Sequence, residues 1–425
     1  MSILNPRKIL FVHYGLDWMR GSEQCLLDLL THIDRERFHP VVWCNSEVMA
    51  DAVRDLKIDV AVDRFPLLFG WESPRFDAKS YMHLVKQGVK QVRQHGVQLI
   101  HSNSGGPCQW LAPVARTTNL PLLLHLHCRY GLRDRCTLGL HQASHVVGVS
   151  HPVIRGLHED GMAPHLTEVI HNGVDIQRIK SQHKKDIRGW IGAFPEDLVI
   201  ATTGSLIERK GIDLLLKAVR ILLQRRVPVR LVVIGDGPDR FRLQQMSAEL
   251  GVYKRVSFLG ERNDVGAVLQ GGVDVFVSGA REEVFGLALV EAGIAELPVV
   301  APRVGGVSEV VEGGVSGILV EPESPHEISM AIERLARDKV LRKRMGVAGY
   351  QRALNHFSVV RYVSDFQDRY ENLLQRPEAR LSWSGPWRCG DAYRRWLVGA
   401  GKRRAQRWAG EVEKRIVSSV TPRQV

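Results

Sequence analysis

Short apolar runs alternate with amphipathic stretches along this chain, and the alternation starts afresh halfway. The first series opens at KILFVH (8–13) and passes to SEQCLLDLLTHI, where Leu26, Leu29, Leu30 and Ile33 share one helical face. HPVVWC (39–44) reads as the next strand. AKSYMHLVKQGVKQVRQHG spaces Met82, Val85, Val89 and Val92 as an amphipathic helix, and VQLIHSN, LPLLLHLH and SHVVGVS are further strands. The second series begins at DLVIATTGS (197–205). It runs through KGIDLLLKAVRILLQ, VRLVVIGDG, RFRLQQMSAELGV, VSFLG, DVFVSG, GLALVEAGIAE and LPVVAP. Such alternation is the mark of an α/β protein with a parallel, doubly wound sheet. Two sheets in tandem predict two domains, joined around QRIKSQHKKDIRGWIGAFPED, with a last helix at VVRYVSDFQDRYENLL.

Composition agrees with that plan. A chain of 425 residues exceeds one ordinary core, and 44% hydrophobic with 24% charged residues fits a globular protein. No run of eighteen apolar residues exists, so no membrane-spanning segment is expected. MSILNPRKILFVHYG lacks a secretory pattern, its apolar run Ile9 to Val12 being only strand-length. The six cysteines (Cys25, Cys44, Cys108, Cys128, Cys136, Cys389) form no C-x-x-C pair. That argues against a disulfide framework or zinc site and for a reducing cytoplasm. The net charge of +12 is uneven: residues 376–425 carry twelve Lys/Arg against four Asp/Glu. The body is therefore near balance, and the basic surface belongs to the tail.

In open parallel sheets, binding loops gather at the carboxyl ends of strands, and a cleft between two such domains holds the ligand. Several unusual residues fall there. In TTGSLIERKG (202–211), Gly204 ends a strand, and Arg209 and Lys210 precede a helix. Two cations beside free helix N–H groups make an anion site, fit for a diphosphate; solvated loop charges are the alternative. In EEVFGLALVE (282–291), Glu283 and Glu291 bracket seven residues, with Gly286 where a helix should begin. A glycine there lets a ligand oxygen approach the amides of Gly286 and Leu287. Glu291 reaches vicinal hydroxyls such as those of a ribose, while Glu283 sits on the other side. Eight residues of helix span about 12 Å, which suits a phosphate flanked by polyols: a nucleotide sugar. The alternative is a surface loop followed by a solvated glutamate.

Other segments say less by themselves. Gly305–Gly306 in RVGGVSEVVEGGVSGILVEP is a tight turn able to close over phosphate or a ring. IGDGP (234–238) lacks the third glycine of a dinucleotide fingerprint and reads as a strand-end turn. HLHCRYG puts His125 and His127 on one strand face, with no carboxylate or cysteine spacing to complete a metal site. A strand-end histidine facing the cleft is the better reading. MRGSEQ opens the first helix, and Gly21 and Ser22 suit an acceptor group or a phosphate.

Taken in order, these segments resemble the retaining glycosyltransferases of GT-B fold, family four, also called glycosyl transferases group one. Gly21–Ser22–Glu23 resembles the N-terminal glycine loop and its glutamate. HLH ending at His127 resembles the strand-end histidine, and VIHNGVD (169–175) the linker signature. GSLIERKG resembles the phosphate loop, Glu283 to Glu291 is an E-x₇-E motif, and Gly305 to Glu309 resembles G-G-x-x-E. The resemblance covers about residues 8–375 and implies two Rossmann-like domains facing a cleft. Residues 1–185 would be the acceptor domain, 186–375 the nucleotide-sugar donor domain, and 376–425 a basic amphipathic extension. It implies that Lys210, with Arg209, neutralises the donor diphosphate. Glu283 would hold the transferred sugar, Glu291 the ribose, and His127 the sugar near the reacting centre. Gly204, Ser205, Phe285, Gly286 and Leu287 would line the donor site, and Gly21, Ser22 and Glu23 the acceptor side. No metal or cofactor is implied; the nucleotide diphosphate sugar is a co-substrate. Two departures stand out: Ser205 replaces the usual arginine, for which Arg209 is the substitute, and Arg20 replaces the first glycine of the N-terminal loop.

The implied reaction moves a sugar to a hydroxyl of a glycan or lipid-linked acceptor, in polysaccharide or glycolipid synthesis. The alternatives are a GT-B epimerase or phosphorylase, or a sugar-nucleotide-binding protein without turnover. Beyond the resemblance, residues 391–417 place Leu397, Gly401, Ala405, Trp408, Val412 and Ile416 on one helical stripe, with Arg394, Lys402, Arg403, Arg407 and Lys414 around it. An anionic membrane surface and a solvated helix, packed on the body or disordered, are equally good readings, the former making the protein peripheral on the inner face. Nucleic acid ranks lower, since no recognition motif accompanies the charge.

Overall fold

The computed structural model describes residues 5–70, 76–376 and 389–399. Its first sheet contains β1 (Arg7–His13), β2 (Phe38–Cys44), β3 (Val60–Val62), β4 (Leu99–Ser102), β5 (Leu122–Leu126), β6 (His145–Gly148) and β7 (Thr167–Val169). They lie in the order β3-β2-β1-β4-β5-β6-β7. The second contains β8 (Leu198–Thr203), β9 (Val229–Ile234), β10 (Val256–Gly260), β11 (Val275–Val277), β12 (Val299–Pro302) and β13 (Gly317–Val320), in the order β10-β9-β8-β11-β12-β13. All the pairings between these strands are parallel. Helices cover both faces, which is why the strands are continuous apolar runs rather than alternating ones: Ile9 to Val12 are fully buried. This is the doubly wound α/β architecture that the alternation predicts, built twice. Strand order reverses between β1 and β4 and again between β8 and β11, so a crevice opens at each reversal.

Short elements escape a reading by periodicity. β3 and β7 have three residues each, and β13 has four, too few for a repeat to register. Helix Ala78–His95 is present, but its buried residues are Leu84, Gly88 and Val92. Met82 of the expected stripe is exposed, and Val85 and Val89 are half-buried. The true face is rotated because Gly88 lets the helix approach Val114 and Trp43 closely.

The last long helix departs most from the sequence plan. Val359–Gln375 follows the second sheet in the chain but packs on the first. Its Val359, Tyr362, Val363, Phe366, Tyr370 and Leu373 share a core with Ile9, Phe11, Leu26 and Phe38. The Phe366 ring stacks on His101 at 5.3 Å, and the Tyr370 hydroxyl meets His101 Nδ1 at 2.7 Å. Arg369 grips Glu168 through two hydrogen bonds of 2.5 Å. Assigning 186–375 as a block to the second unit therefore misplaces this helix, since periodicity defines an apolar face and not the surface that will cover it.

Of the basic stretch 391–417, residues 391–399 are described. They are helical; Ala392 is buried, and Tyr393 and Trp396 pack on the core of the first unit. Arg395 donates to the Glu159 carbonyl at 2.9 Å and to Asp160 at 3.2 Å. Leu397, first of the expected stripe, is exposed; its other members lie outside the described residues.

Candidate functional site

The two units face each other across a cleft of about 1290 Å³. The loops after β1, β5, β8, β9, β11 and β12 line it, so it draws on the carboxyl ends of both sheets. Chain contacts hold the units together at its edge. Ser150 Oγ donates to the Val284 carbonyl at 2.6 Å, and Glu309 accepts from the His151 amide at 3.1 Å and from His171 Nε2 at 2.8 Å. A methyl group on Gly21 would meet Leu287 Cδ1 at 2.9 Å, so the N-terminal loop touches the Glu283–Glu291 segment.

On the second unit's wall, β8 ends at Thr203 and the chain turns through Gly204 and Ser205 to Lys210. Lys210 Nζ donates to Glu283 Oε2 at 2.5 Å. Arg209 lines the same cleft and donates to the Glu282 carbonyl at 3.1 Å. Helix Leu287–Ile294 begins where the sequence puts it, with Gly286 as the N-cap at φ +103°. A side chain there would be strained and would meet Leu289, so only glycine leaves the first helical amides open to the cleft. Phe285 is buried behind this turn and stacks on His171 at 5.7 Å.

Glu283, Phe285, Gly286, Leu287 and Glu291 all border the cleft with Lys210, as the motif reading expects. Burial raises the Glu291 carboxyl to about 7; Arg178 opposes the rise and Asp28 adds to it. The double glycine borders the cleft through Gly305 and also supports the loop beside it. Gly305, at φ +50°, lies against the Glu283 carbonyl, where a methyl group would come within 1.8 Å; the Gly306 amide donates to that carbonyl at 2.9 Å. The turn thus braces the loop that presents Glu283.

On the first unit's wall, Gly21 and Ser22 border the cleft at the start of helix Gly21–His32, and His127 borders it at the end of β5. Arg20 needs no glycine's freedom: its φ of −128° is ordinary extended backbone, and its guanidinium lies 3.9 Å over the Trp18 ring. Glu23 is a correction. It is 4% exposed and points away from the cleft, accepting from His13 Nε2 at 3.1 Å, the Ser22 hydroxyl at 3.0 Å and the Arg20 amide at 3.2 Å. Burial raises its carboxyl, but the hydrogen bonds, His13 first, prevail and hold it at about 2. Burial lowers His127 to about 3, and its Nε2 meets Asn103 Oδ1 at 3.1 Å.

Sequence reasoning passed over Asn103, Asn172 and Arg178. Asn172, in the HNGVD segment, is buried at the cleft with no partner for Oδ1 among the described residues. Arg178 lines the cleft and pairs with Asp28 at 3.3 Å. The HNGVD match was itself a signal for Asn172; nothing local marks the other two.

Comparison with known proteins adds to this geometry. The family profile described as Glycosyl transferases group 1 matches residues 183–352, and that of Glycosyltransferase Family 4 matches residues 19–178. A D-inositol 3-phosphate glycosyltransferase of Mycobacterium marinum is 34% identical over 48% of this chain and 42% of its own. A lipopolysaccharide core biosynthesis glycosyltransferase of Rhizobium meliloti is 33% identical over 38% of this chain and 46% of its own. The chain thus spans less than half the length of these two curated relatives. Among solved structures, Anabaena HepE in complex with UDP superimposes with a TM-score of 0.73 at 25% identity, covering 86% of this chain and 100% of HepE.

Proposed function

Because this chain belongs to the group 1 glycosyl transferases, with the GT-B fold, we propose that it transfers a sugar from a nucleotide diphosphate sugar to a hydroxyl of a glycan or lipid-linked acceptor. The observation that carries the reading is the convergence of Lys210, Glu283, Glu291 and the Gly286 helix start on one cleft. Lys210 gives up part of its pairing with Glu283 to neutralise the diphosphate, assisted by Arg209 and the helix-end amides. Glu283, so released, accepts from hydroxyls of the transferred sugar, and ionised Glu291 accepts from the ribose. HepE, as its structures are described, binds UDP and UDP-glucose, which makes a uridine donor the first candidate.

We infer retention by front-face displacement. The acceptor oxygen bonds to the anomeric carbon from the side the diphosphate leaves. The carbon–oxygen bond to the diphosphate breaks, and the acceptor proton passes to a diphosphate oxygen. The protein supplies charge stabilisation throughout, with no metal in the scheme. No helix of the described residues is long and apolar enough to cross a membrane. We assign the protein to the cytoplasm, with the basic stretch 391–417 as its contact with an anionic inner surface.

A thermal-shift screen with UDP, GDP and ADP, each with and without its sugar, tests the donor. The true ligand should raise the melting temperature by mass action. Nucleotide release that requires an added acceptor supports transfer. Interconversion of nucleotide sugars without acceptor would mean an epimerase, a phosphate requirement would mean a phosphorylase, and binding with no release over an acceptor panel would reduce the protein to a carrier.

A further inference from the structure

Beneath the first wall runs a chain of hydrogen bonds from Glu23 to His127, joining the ends of β1, β4 and β5. His13 Nε2 lies 3.1 Å from Glu23 Oε1. His13 Nδ1 lies 3.1 Å from Asn103 Nδ2, and Asn103 Oδ1 lies 3.1 Å from His127 Nε2. Asn103 is fully buried, and its own amide is fixed to the Val12 carbonyl at 2.8 Å.

The orientation of the Asn103 amide follows from a fourth contact. Nδ2 also lies 3.3 Å from the Ser22 carbonyl oxygen, which can only accept. The atom facing Ser22 and His13 must therefore be the amino group, and the atom facing His127 the oxygen. Everything else is then fixed. His13 Nδ1 must be a bare acceptor, so its proton is on Nε2 and is donated to Glu23. His127 must carry a proton on Nε2 and donate it to Asn103, and in the uncharged ring that leaves Nδ1 as a lone pair. Nδ1 has no hydrogen-bond partner among the described residues. Unlike both nitrogens of His125, it is not among the buried polar atoms sealed from solvent. The ring thus meets the cleft it borders through an acceptor nitrogen.

Resting on the transferase reading above, we propose that Asn103 is a positioning residue: it holds His127 as the neutral Nε2–H tautomer, so that the ring accepts a hydrogen bond from a hydroxyl of the transferred sugar. Burial agrees, since it keeps His127 uncharged at neutral pH. So does its neighbour: the His125 ring, 4.0 Å away between centroids, has no hydrogen-bond partner among the described residues and offers no counter-charge. The choice of tautomer matters to the chemistry. Glycosyl transfer passes through a sugar with oxocarbenium character, which an imidazolium nearby would oppose and a neutral lone pair tolerates.

Two-bond nitrogen–proton correlation spectra of the full chain, labelled at histidine, read the tautomer directly, with His127→Gln assigning the signal. We expect His127 as a single Nε2–H form from pH 6 to 8, with no donor present. An Nδ1–H form or an imidazolium at pH 7 in the wild type overturns the proposal, and this arm needs neither turnover nor a stable variant. In Asn103→Leu we expect a mixture of tautomers. With the donor from the thermal-shift screen, kcat should fall on the order of 10- to 100-fold while the donor KM stays within about twofold. An unchanged tautomer in a folded Asn103→Leu, or a loss carried wholly by donor KM, also overturns it. If the wild type shows the Nε2–H form but no donor is ever turned over, the tautomer lock stands and the transferase reading falls.

Discussion

The two walls of the cleft are built from opposite materials. The second unit's wall is charged and paired: Lys210 with Glu283 at 2.5 Å, Arg281 with Asp213 at 2.9 Å, Arg262 with Asp264 at 2.7 Å. The first unit's floor is buried and mostly uncharged, with His13, His101, Asn103 and His125 all buried and its carboxylate, Glu23, turned inward onto His13. A charged wall suits a ligand that arrives as an anion, because ion pairs already in place can be exchanged for contacts with it. A neutral floor cannot attract, but its hydrogen bonds hold one geometry, which suits orienting a sugar that carries no charge. On the proposed reading, the site divides attraction from orientation between its halves.

That division can be broken from the outside in. The neutral floor depends on helix Val359–Gln375, so Phe366→Ala should cost about 3–5 kcal/mol of stability, read by chemical denaturation. A loss under about 1 kcal/mol would mean that the helix only rests on the first sheet. Next comes the charged wall. Lys210→Ala should lower kcat/KM about 10²- to 10³-fold with the melting temperature little changed. Near-normal turnover in the folded variant would remove the diphosphate contact from the mechanism.

Glu291 sharpens the comparison, being an acid of the charged wall whose ionisation is opposed by burial. Its carboxyl lies at about 7 in the fold against an ordinary 4.5. Between these values the folded state holds the extra proton, so this group's contribution to stability declines as pH rises from about 4.5 to about 7. If Glu291 accepts from the ribose as proposed, it does so in the ionised form, and donor KM should rise as pH falls through 7. Glu291→Gln should raise donor KM about tenfold at pH 8 and flatten its pH dependence. A slope unchanged in that variant would assign it to another group.

The smallest effect is expected on the neutral floor. Burial holds His125 well below its ordinary 6.5, so an unfolded chain takes up a proton there first, and stability is lost as pH falls below about 6.5. His125→Phe removes two buried nitrogens that have no hydrogen-bond partner among the described residues. It should change stability at pH 7 by less than about 1.5 kcal/mol and reduce the fall in melting temperature from pH 7 to pH 5. A steeper acid loss in the variant would show that His125 is stabilised by its charge.

The sequence by itself determined whatever a few consecutive residues can encode. The strands of both sheets other than β3, β7 and β13 are legible as apolar runs, and so is the segment from Glu283 to Glu291. There a loop, a glycine N-cap and a helix follow one another along the chain and need no distant partner. Only tertiary structure decided the rest. Val359–Gln375 carries a clear apolar stripe, yet its partner sheet was fixed by which surface lay uncovered. The family resemblance put Glu23 on the acceptor side with Ser22, but one helical step turns its carboxylate inward to His13. Asn103 meets His13 and His127 across 90 and 24 residues of chain, through parallel strand register. Periodicity records which way a side chain faces; what it meets there depends on how distant segments are laid side by side.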